Sequence, residues 1–379
     1  MEFKNLQLED VIVLEDKKRK PLSTIIRNKM EKKYPYYGAN GIIDYVDDYL
    51  FDDEYLLLAE DGTVLIDDLY PVLYKVNGKF WVSNHAHVFK AKEDIVLQDY
   101  LYYALKCTVI RDKITGSTQP KLNQENMNKI KIKLPELKIQ RKISKILSNI
   151  DGKIKLNNEI NNNLYELAIN YLNEKVEETE VPVSKFSKIQ GGYAFKSKDL
   201  IDVHTKNRII KIKNLRSEIN ADVINSQFVE NEVVEKLDNK FRLSKGDVAI
   251  AMTGAELGKT GFIYGNDNYF LNQRVGVIRG NNKASELYLK ILFLSDEFQT
   301  LLNSKGYGSA QPNVSTSDIE NILINDITED NLKKLYEIIK PIYEKIISNS
   351  EEILNLEQLR DTLLPKMMNG EIDLDNIEI

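Results

Sequence analysis

Apolar residues recur at helical spacing over residues 136–175, and this repeat predicts one long amphipathic helix. The apolar stripe consists of Ile143, Ile146, Leu147, Ile150, Ile154, Ile160, Leu164 and Leu167. At about 1.5 Å per residue such a helix would span roughly 60 Å. No small globular core needs a helix of that length, so the pattern indicates a spacer or half of a coiled coil.

The same pattern occurs again 192 residues further along the chain. The motif Gly116-Ser117-Thr118-Gln119-Pro120 returns as Gly308-Ser309-Ala310-Gln311-Pro312. The same offset pairs Ile130 with Ile322, Ile132 with Ile324, Ile146 with Ile338, Ile150 with Ile342, Ile154 with Ile346, Leu164 with Leu356, Leu167 with Leu359, and Gly62 with Gly254. A constant offset through loop, strand and helix predicts two copies of one unit.

Each copy begins with short alternating segments and Gly or Asn turns, which predict a mixed α/β module. Strands are predicted at 55–58, 64–66, 72–76, 80–83 and 130–134, and at 248–252, 262–264 and 275–278; a helix is predicted at 97–113. The predicted fold class is α+β, with two pseudo-two-fold-related α/β modules separated by two long antiparallel helices. The predicted boundaries are 1–135 for module 1, 136–177 for helix 1, 178–327 for module 2, 328–372 for helix 2, and 373–379 for a tail.

Heptad spacing suggests how the two helices meet. Seven-residue steps run through Ile143, Ile150, Asn157, Leu164 and Tyr171, and through Leu335, Ile342, Asn349, Leu356 and Leu363. Because Asn is the middle member of both series, we expect Asn157 and Asn349 to meet and to fix the register of an antiparallel pair. The alternative is that both lie in water at the edge of the seam. Pro341 predicts a bend or break in helix 2.

Composition narrows the class of protein. The 379 residues carry a net charge of −6, with one cysteine and three histidines. The apolar runs are too short for a membrane span, and the N-terminal residues lack a signal pattern, so we expect a cytoplasmic protein. Intrachain disulfides are excluded, and a zinc site is not expected. His85 and His87 could form a metal pair, but no third ligand is evident, and we predict no metal.

Two basic segments interrupt this acidic background, at residues 17–33 and 185–216. Tyr36, Tyr37 and Asn40 follow the first segment closely. Such segments are typical either of a solvated surface beside a Gly/Asn turn or of a phosphate-contacting patch next to groups that can meet bases.

Catalytic motifs are not found. The segment Gly254-Ala255-Glu256-Leu257-Gly258-Lys259-Thr260 is one residue short of a phosphate-binding P-loop, and the residues that follow suggest a strand, so we predict a hairpin turn. No Pro-Pro motif of a base-methylating enzyme occurs, no glycine-rich dinucleotide-binding motif follows a strand, and no Ser/His/Asp or Cys/His set can be assigned. We therefore expect a chain without catalytic activity or cofactor.

The order of elements resembles the specificity (S) subunit of Type I restriction–modification systems. The resemblance covers essentially the whole chain. It is carried by both copies of the Gly-Ser-x-Gln-Pro motif, by Leu134-Pro135-x-Leu137-x-x-Gln140, by Tyr36-Tyr37-Gly38-Ala39-Asn40-Gly41 and by Gly246-Asp247-Val248. The second helix begins differently, since Asn325-Asp326-Ile327-Thr328 lacks the proline and Leu332 stands where Gln140 stands in the first copy.

The resemblance implies that the modules are target-recognition domains, each recognising one half of a bipartite site in double-stranded DNA. It implies that the helices are spacers and dock methyltransferase (M) subunits, two of them, and that restriction/motor (R) subunits join the complex. The competing hypothesis is a non-enzymatic scaffold in which a coiled coil separates two protein-binding modules.

Candidate DNA contacts follow from residue type and position in loops. For phosphates they are Lys18, Arg19, Lys20, Arg27, Lys29, Lys206, Arg208, Lys211 and Lys213. For bases they are Tyr36, Tyr37, Asn40, Asn84 and His85 in module 1, and Asn272, Gln273 and Arg274 in module 2.

Overall fold

The structure, a computed structural model, describes residues 2–116, 118–215, 219–305 and 313–374. The chain divides into two compact units. Unit 1 comprises Met1–Gly152 and Glu357–Ile379, and unit 2 comprises Lys153–Leu356. Since both boundaries fall inside the long helices, each unit contains one module and a segment of each helix.

The first module contains twelve strands and four short helices among its described residues. The strands are β1 (Lys4–Gln7), β2 (Ile12–Leu14), β3 (Tyr34–Gly38), β4 (Gly41–Val46), β5 (Phe51–Asp52), β6 (Tyr55–Ala59), β7 (Leu65–Ile66), β8 (Tyr70–Pro71), β9 (Leu73–Val76), β10 (Lys79–Val82), β11 (Ala86–Ala91) and β12 (Lys131–Leu134). The α-helices are α1 (Leu8–Val11), α2 (Thr24–Arg27), α3 (Gln98–Lys106) and α4 (Gln124–Asn128), followed by the long α5 (Leu137–Asn173).

Two four-stranded sheets build this module. One has the order β4-β3-β10-β5, with β10 parallel to β3, and the other is antiparallel with the order β2-β11-β6-β9. Strands β1 and β12 form a separate antiparallel pair, as do β7 and β8. The main core of the unit joins the second sheet to α3 and to both long helices, through residues such as Phe89, Tyr100, Leu147 and Met367.

The second module has the same plan. Its strands are β13 (Glu180–Pro182), β14 (Ser187–Gly191), β15 (Leu200–Ile201), β16 (Asn207–Ile210), β17 (Gln227–Val229), β18 (Arg242–Leu243), β19 (Val248–Ala251), β20 (Thr260–Phe262), β21 (Asn268–Leu271), β22 (Val275–Gly280) and β23 (Leu323–Asn325). Its helices are α6 (Asn231–Val234), α7 (Lys283–Phe293), α8 (Asp296–Lys305) and α9 (Thr316–Glu320), followed by the long α10 (Glu329–Met368).

Sheet order shows that the main sheets of the two modules correspond, although the pair β7–β8 of module 1 has no equivalent among the described strands of module 2. The order β15-β17-β16-β21-β18 matches β4-β3-β10-β5 with one strand added at the edge, and in both sheets the central pair is parallel. The order β14-β22-β19-β20 matches β2-β11-β6-β9, and the pair β13–β23 matches β1–β12. The internal repeat inferred from the sequence therefore extends to the topology of the modules.

The two long helices run antiparallel within unit 2. Asn157 lies beside Glu352, and Asn161, further along α5, lies beside Asn349, which comes earlier in α10. The predicted fold class, with mixed α/β modules and long antiparallel helices, is confirmed.

Helix α10 continues through Pro341 without the break that the sequence had suggested as one outcome. Pro341 is exposed. Water can therefore solvate the backbone carbonyl that a proline leaves unpaired. No described helix is both long enough and apolar enough to cross a membrane.

Candidate nucleic-acid interface

A short turn between β10 and β11 presents Asn84 and His85 at the surface of unit 1. Its position is fixed by the end of strand β6, because the Glu60 amide donates to the His85 carbonyl at 2.9 Å. The carboxylate of Asp61 lies 2.9 Å from His85 Nδ1 through both oxygens. This contact fixes the orientation of the imidazole and leaves Nε2 as the ring nitrogen available to a ligand.

The loop that carries the repeated motif lies next to this turn. Thr115 and Lys121 close the loop by exchanging backbone hydrogen bonds of 2.9 and 2.8 Å, and Leu122 N donates to the Glu60 carbonyl at 2.8 Å. The backbones of Asp61 and Lys121 also pair as an isolated antiparallel β-bridge. The described residues of the first Gly-Ser-x-Gln-Pro motif are therefore tied to the same strand end as Asn84 and His85. Ser117 lies outside the described residues.

Unit 2 contains the equivalent arrangement. The Met252 amide donates to the Arg274 carbonyl at 3.1 Å, as Glu60 does to His85 in unit 1. Val314 N donates to the Met252 carbonyl at 2.9 Å, and the backbones of Thr253 and Asn313 pair as an isolated antiparallel β-bridge. The second motif, Gly308–Pro312, lies outside the described residues. The turn containing Asn272, Gln273 and Arg274 thus corresponds to the turn containing Asn84 and His85.

Residues at corresponding positions also contact the side chain of the last exposed residue of each turn, His85 in unit 1 and Arg274 in unit 2. Asp61 contacts the His85 ring in unit 1, and Thr253, 192 residues later, accepts a 3.4 Å hydrogen bond from Arg274 Nη1 in unit 2. Gly62 and Gly254 follow these residues, with positive φ angles of 76° and 80° that favour glycine. The backbone framework is shared, while the exposed side chains differ.

The aromatic candidates of module 1 are less exposed than the sequence suggested. Tyr36 is 1% exposed, and its hydroxyl accepts a hydrogen bond from Leu22 N at 3.0 Å. Its ring packs in the core, which argues against a base contact by Tyr36. Tyr37 is partly buried, and burial raises the pKa of its hydroxyl. Asn40 is exposed in the turn between β3 and β4.

The basic candidates fall into two groups. Five lysines are exposed and can meet phosphate without leaving a buried partner: Lys18, Lys20, Lys29, Lys206 and Lys213. Lys18 pairs with Glu15 at 3.0 Å, a surface contact that costs little to break.

The other four basic candidates are tied to protein groups. Arg27 donates to Asp44 at 2.9 Å, and Arg208 donates to Asp267 at 2.5 Å. Lys211 donates to Gln227 Oε1, and burial lowers the pKa of its amine, with a further lowering by Lys213. Arg19 is held by two carboxylates. Sequence alone did not separate these two groups, since most of the partners, such as Asp44, Asp267 and Glu60, lie far along the chain.

One group of side chains has the composition of a metal site: Asp16, Glu60 and His87. The ligand atoms are already occupied, however. His87 Nδ1 lies 2.6 Å from Asp16, and its Nε2 faces the Leu122 carbonyl at 2.8 Å, so this nitrogen must carry a proton. Arg19 lies against both carboxylates. The donor set therefore fits an ion-pair network and does not fit a metal ion.

The P-loop-like segment forms the connection between antiparallel strands β19 and β20. It contains a single 3-10 turn at Gly254–Glu256, and strand β20 rather than an α-helix follows it. Lys259 pairs with Glu256 in this connection. The predicted hairpin is confirmed.

The two asparagines predicted to set the helix register lie in a buried polar layer of unit 2, with other partners. Asn349 is 2% exposed and donates to Asn161 Oδ1 at 2.9 Å. Asn157 is 1% exposed and donates to Glu352 at 2.8 Å. Asn161 Nδ2 donates to Ser350 Oγ at 3.1 Å. The partner of Asn349 is therefore one helical turn beyond Asn157.

Comparison with known families explains why the two units correspond. The family described as the type I restriction modification DNA specificity domain matches residues 1–166 and again residues 193–358. The chain belongs to this family. The second match begins and ends 192 residues after the first, which is the offset found in the sequence. This specificity-domain family therefore accounts for module 1, for module 2 from residue 193 onwards and for most of both long helices.

Individual relatives agree with the family assignment. A Haemophilus influenzae chain, provisionally named type I restriction enzyme specificity subunit S.HindORF215P, is 28% identical over 290 residues, covering 71% of this chain and 70% of that one. The type I restriction enzyme MjaIX specificity subunit of Methanocaldococcus jannaschii is 24% identical over 354 residues, covering 85% and 80%. The solved S subunit of a type I restriction-modification system from M. genitalium has the same fold, with a TM-score of 0.58 at 13% identity, over 97% of this chain and 96% of that one.

Proposed function

We propose that this chain is the DNA sequence-specificity subunit of a type I restriction–modification complex, in which each module recognises one half of a bipartite site. The observation that carries the proposal is the pair of equivalent turns, Asn84–His85 and Asn272–Arg274, on two copies of a DNA specificity domain. The turns share a backbone frame and differ in side chains, which is the arrangement expected of two modules with different target sequences.

Base recognition is assigned to the polar residues of these two turns and to Asn40 in the turn between β3 and β4; Asn272 is partly buried and the others are exposed. Asn and Gln pair with adenine through two hydrogen bonds, and Arg pairs in the same manner with guanine. Asn84, His85 and Asn40 are the candidates in module 1, and Asn272, Gln273 and Arg274 are the candidates in module 2. The exposed lysines Lys18, Lys20, Lys29, Lys206 and Lys213 supply phosphate contacts, which position the modules on the duplex.

The long helices set the spacing between the two half-sites and dock two methyltransferase subunits, while restriction subunits join through the complex. The chain itself supplies no catalytic group and needs no cofactor in this proposal. The partner methyltransferase carries out the chemistry on an extruded adenine. Because the net charge of the chain is −6, we expect the isolated chain to bind DNA weakly, with an affinity that falls steeply as salt rises.

The experiment is co-expression of the chain with a type I methyltransferase subunit, followed by sequencing of methylated adenines in plasmid DNA. The expected result is a split site with a fixed gap. Exchange of residues 178–327 for the corresponding module of another family member should change one half of the site and leave the other half intact. A methyltransferase complex that assembles but modifies no defined site would overturn the proposal and favour the protein-binding scaffold.

A further inference from the structure

The whole guanidinium of Arg19 is engaged within unit 1, and its partners lie at the turn that carries Asn84 and His85. Nε donates to the Asp16 carbonyl at 3.1 Å, Nη2 lies 3.1 Å from the Asp16 carboxylate, and Nη1 lies 2.7 Å from Glu60 Oε2. Only 15% of the side chain is exposed. A DNA phosphate could reach this guanidinium only by displacing two carboxylates that are themselves largely buried.

Arg19 also contacts the backbone of the turn that carries His85. Nη1 donates to the carbonyl of Ala86 at 2.8 Å and, more weakly, to that of Asn84 at 3.4 Å. These two carbonyls flank His85 on either side. The guanidinium therefore lies beneath the turn and fixes the backbone on both sides of the side chain proposed to meet a base.

The acids that hold Arg19 are anchored in turn. Asp16 Oδ1 accepts a hydrogen bond from Val88 N at 2.8 Å, and its Oδ2 contacts His87 at 2.6 Å. Glu60 Oε1 pairs with Lys121 at 3.2 Å, at the base of the loop that carries the repeated motif. The network thus ties the turn to strand β11 and to the motif loop.

We infer that Arg19 is a positioning residue that sets the conformation of the Asn84–His85 turn, and that it is not a phosphate contact. This inference rests on the proposed function. A bidentate contact to a base edge requires its donor within a few tenths of an ångström, so a turn that loses its two carbonyl contacts discriminates less between bases. Because Arg19 contacts only module 1 residues among the described interactions, the effect is confined to one half-site.

The test compares Arg19→Lys and Arg19→Gln with Lys20→Gln, all in the methyltransferase complex. Lys20 is the matched control because it is adjacent and exposed. Two quantities are measured: the methylated sequence and the slope of log affinity against log salt. A lost phosphate contact reduces that slope by about one and leaves the sequence unchanged.

Arg19→Lys keeps the positive charge but loses the planar guanidinium whose N–H groups contact Asp16, Glu60 and Ala86 together. We expect it to relax base preference at least tenfold in the half-site of module 1, with the other half unchanged. Arg19→Gln should do the same without reducing the salt slope, while Lys20→Gln should reduce the slope by about one and retain the site. Circular dichroism and Trp81 emission check folding, and if Arg19→Gln does not fold, the Lys variant alone decides.

An unaltered site in Arg19→Lys would overturn the inference, as would a slope reduced by one in Arg19→Gln with both half-sites retained. Failure of the proposed function is distinguishable, because the unsubstituted complex would then show no split site at all. Uniform loss of recognition in both halves would indicate general destabilisation and would also contradict the positioning role.

Discussion

Replacing Asn349 by Leu should loosen the helix pair of unit 2, whereas replacing Asn161 and Asn349 together should not. In the folded protein Asn349 Nδ2 donates to Asn161 Oδ1 at 2.9 Å, and both side chains are at least 97% buried. The single change removes the donor and leaves the Asn161 oxygen buried without it. The double change removes both amides and fills the layer with apolar side chains.

The magnitude follows from the cost of an unpaired buried polar group, about 1–3 kcal/mol. This cost corresponds to roughly a 5- to 150-fold increase in local opening. In the double variant Ser350 Oγ loses its contact with Asn161, but it still lies 2.9 Å from the Ile346 carbonyl and can donate there. No new orphan group remains, so the stability of the double variant should equal or exceed that of the original protein, although shifted helix registers become accessible.

Amide hydrogen exchange of peptides from residues 157–168 and 340–353 measures this opening locally, which avoids treating two units as one transition. Asn162→Leu is the matched control, because Asn162 is exposed on the same helix, and we expect little change in exchange. The reasoning is refuted if Asn349→Leu exchanges like the original protein, or if the double variant opens more readily than Asn349→Leu.

Three further outcomes are expected. Arg360 Nη1 lies 3.0 Å from the partly buried Asp151 carboxylate, and Arg360→Met removes this cation. We expect the change to destabilise unit 1 by about 1–2 kcal/mol, measured as a lower denaturant midpoint of Trp81 emission. An unchanged midpoint would contradict this expectation. Burial raises the pKa of the Cys107 thiol to about 11. The rate of labelling by iodoacetamide should therefore be slow at pH 8, rise towards pH 11 and become fast in urea. Rapid labelling of the folded protein at pH 8 would refute this prediction. Lys32 and Arg27 lower the pKa of Asp44 well below its usual range, so its stabilising contribution is complete above about pH 4 and is lost progressively as the pH falls towards the depressed pKa of the folded state. Asp44→Asn should therefore flatten the acid limb of Trp81 unfolding, and an unchanged limb would contradict the ion pair's role.

Periodicity along the chain was sufficient to predict the long helices and the two repeated modules of this protein. The apolar stripe predicted helix α5 nearly to its ends, since a buried face on a long helix must repeat every three to four residues whatever packs against it. The offset of 192 residues predicted the two copies, and it recurs in the two family matches and in the equivalence of Asp61 with Thr253. Polar residues in short turns between strands indicated both Asn84–His85 and Asn272–Arg274.

Contacts between distant segments were beyond the reach of periodicity. Arg19 and Lys20 look alike in sequence. Asp16 is a local partner three residues before Arg19, but only the folding of β6 and β11 beside Arg19 places Glu60 and the Ala86 carbonyl against it. Tyr36 and Tyr37 are adjacent and alternate across a strand, so that one enters the core and the other remains partly exposed. Charge and residue type alone could not distinguish a surface group from a buried one.

The axial register of the helix pair shows most clearly what the sequence pattern determines and what the tertiary contacts decide. A heptad pattern determines which face of each helix is buried, but sliding one helix by a turn preserves the match of apolar faces. The sequence therefore predicted two long helices, their antiparallel pairing and an asparagine near the middle of each heptad series, and it left open whether these asparagines are buried. The tertiary structure decided that Asn349 pairs with Asn161, because the described interactions of module 2, such as Ser350 with Asn220, fix α10 along its axis.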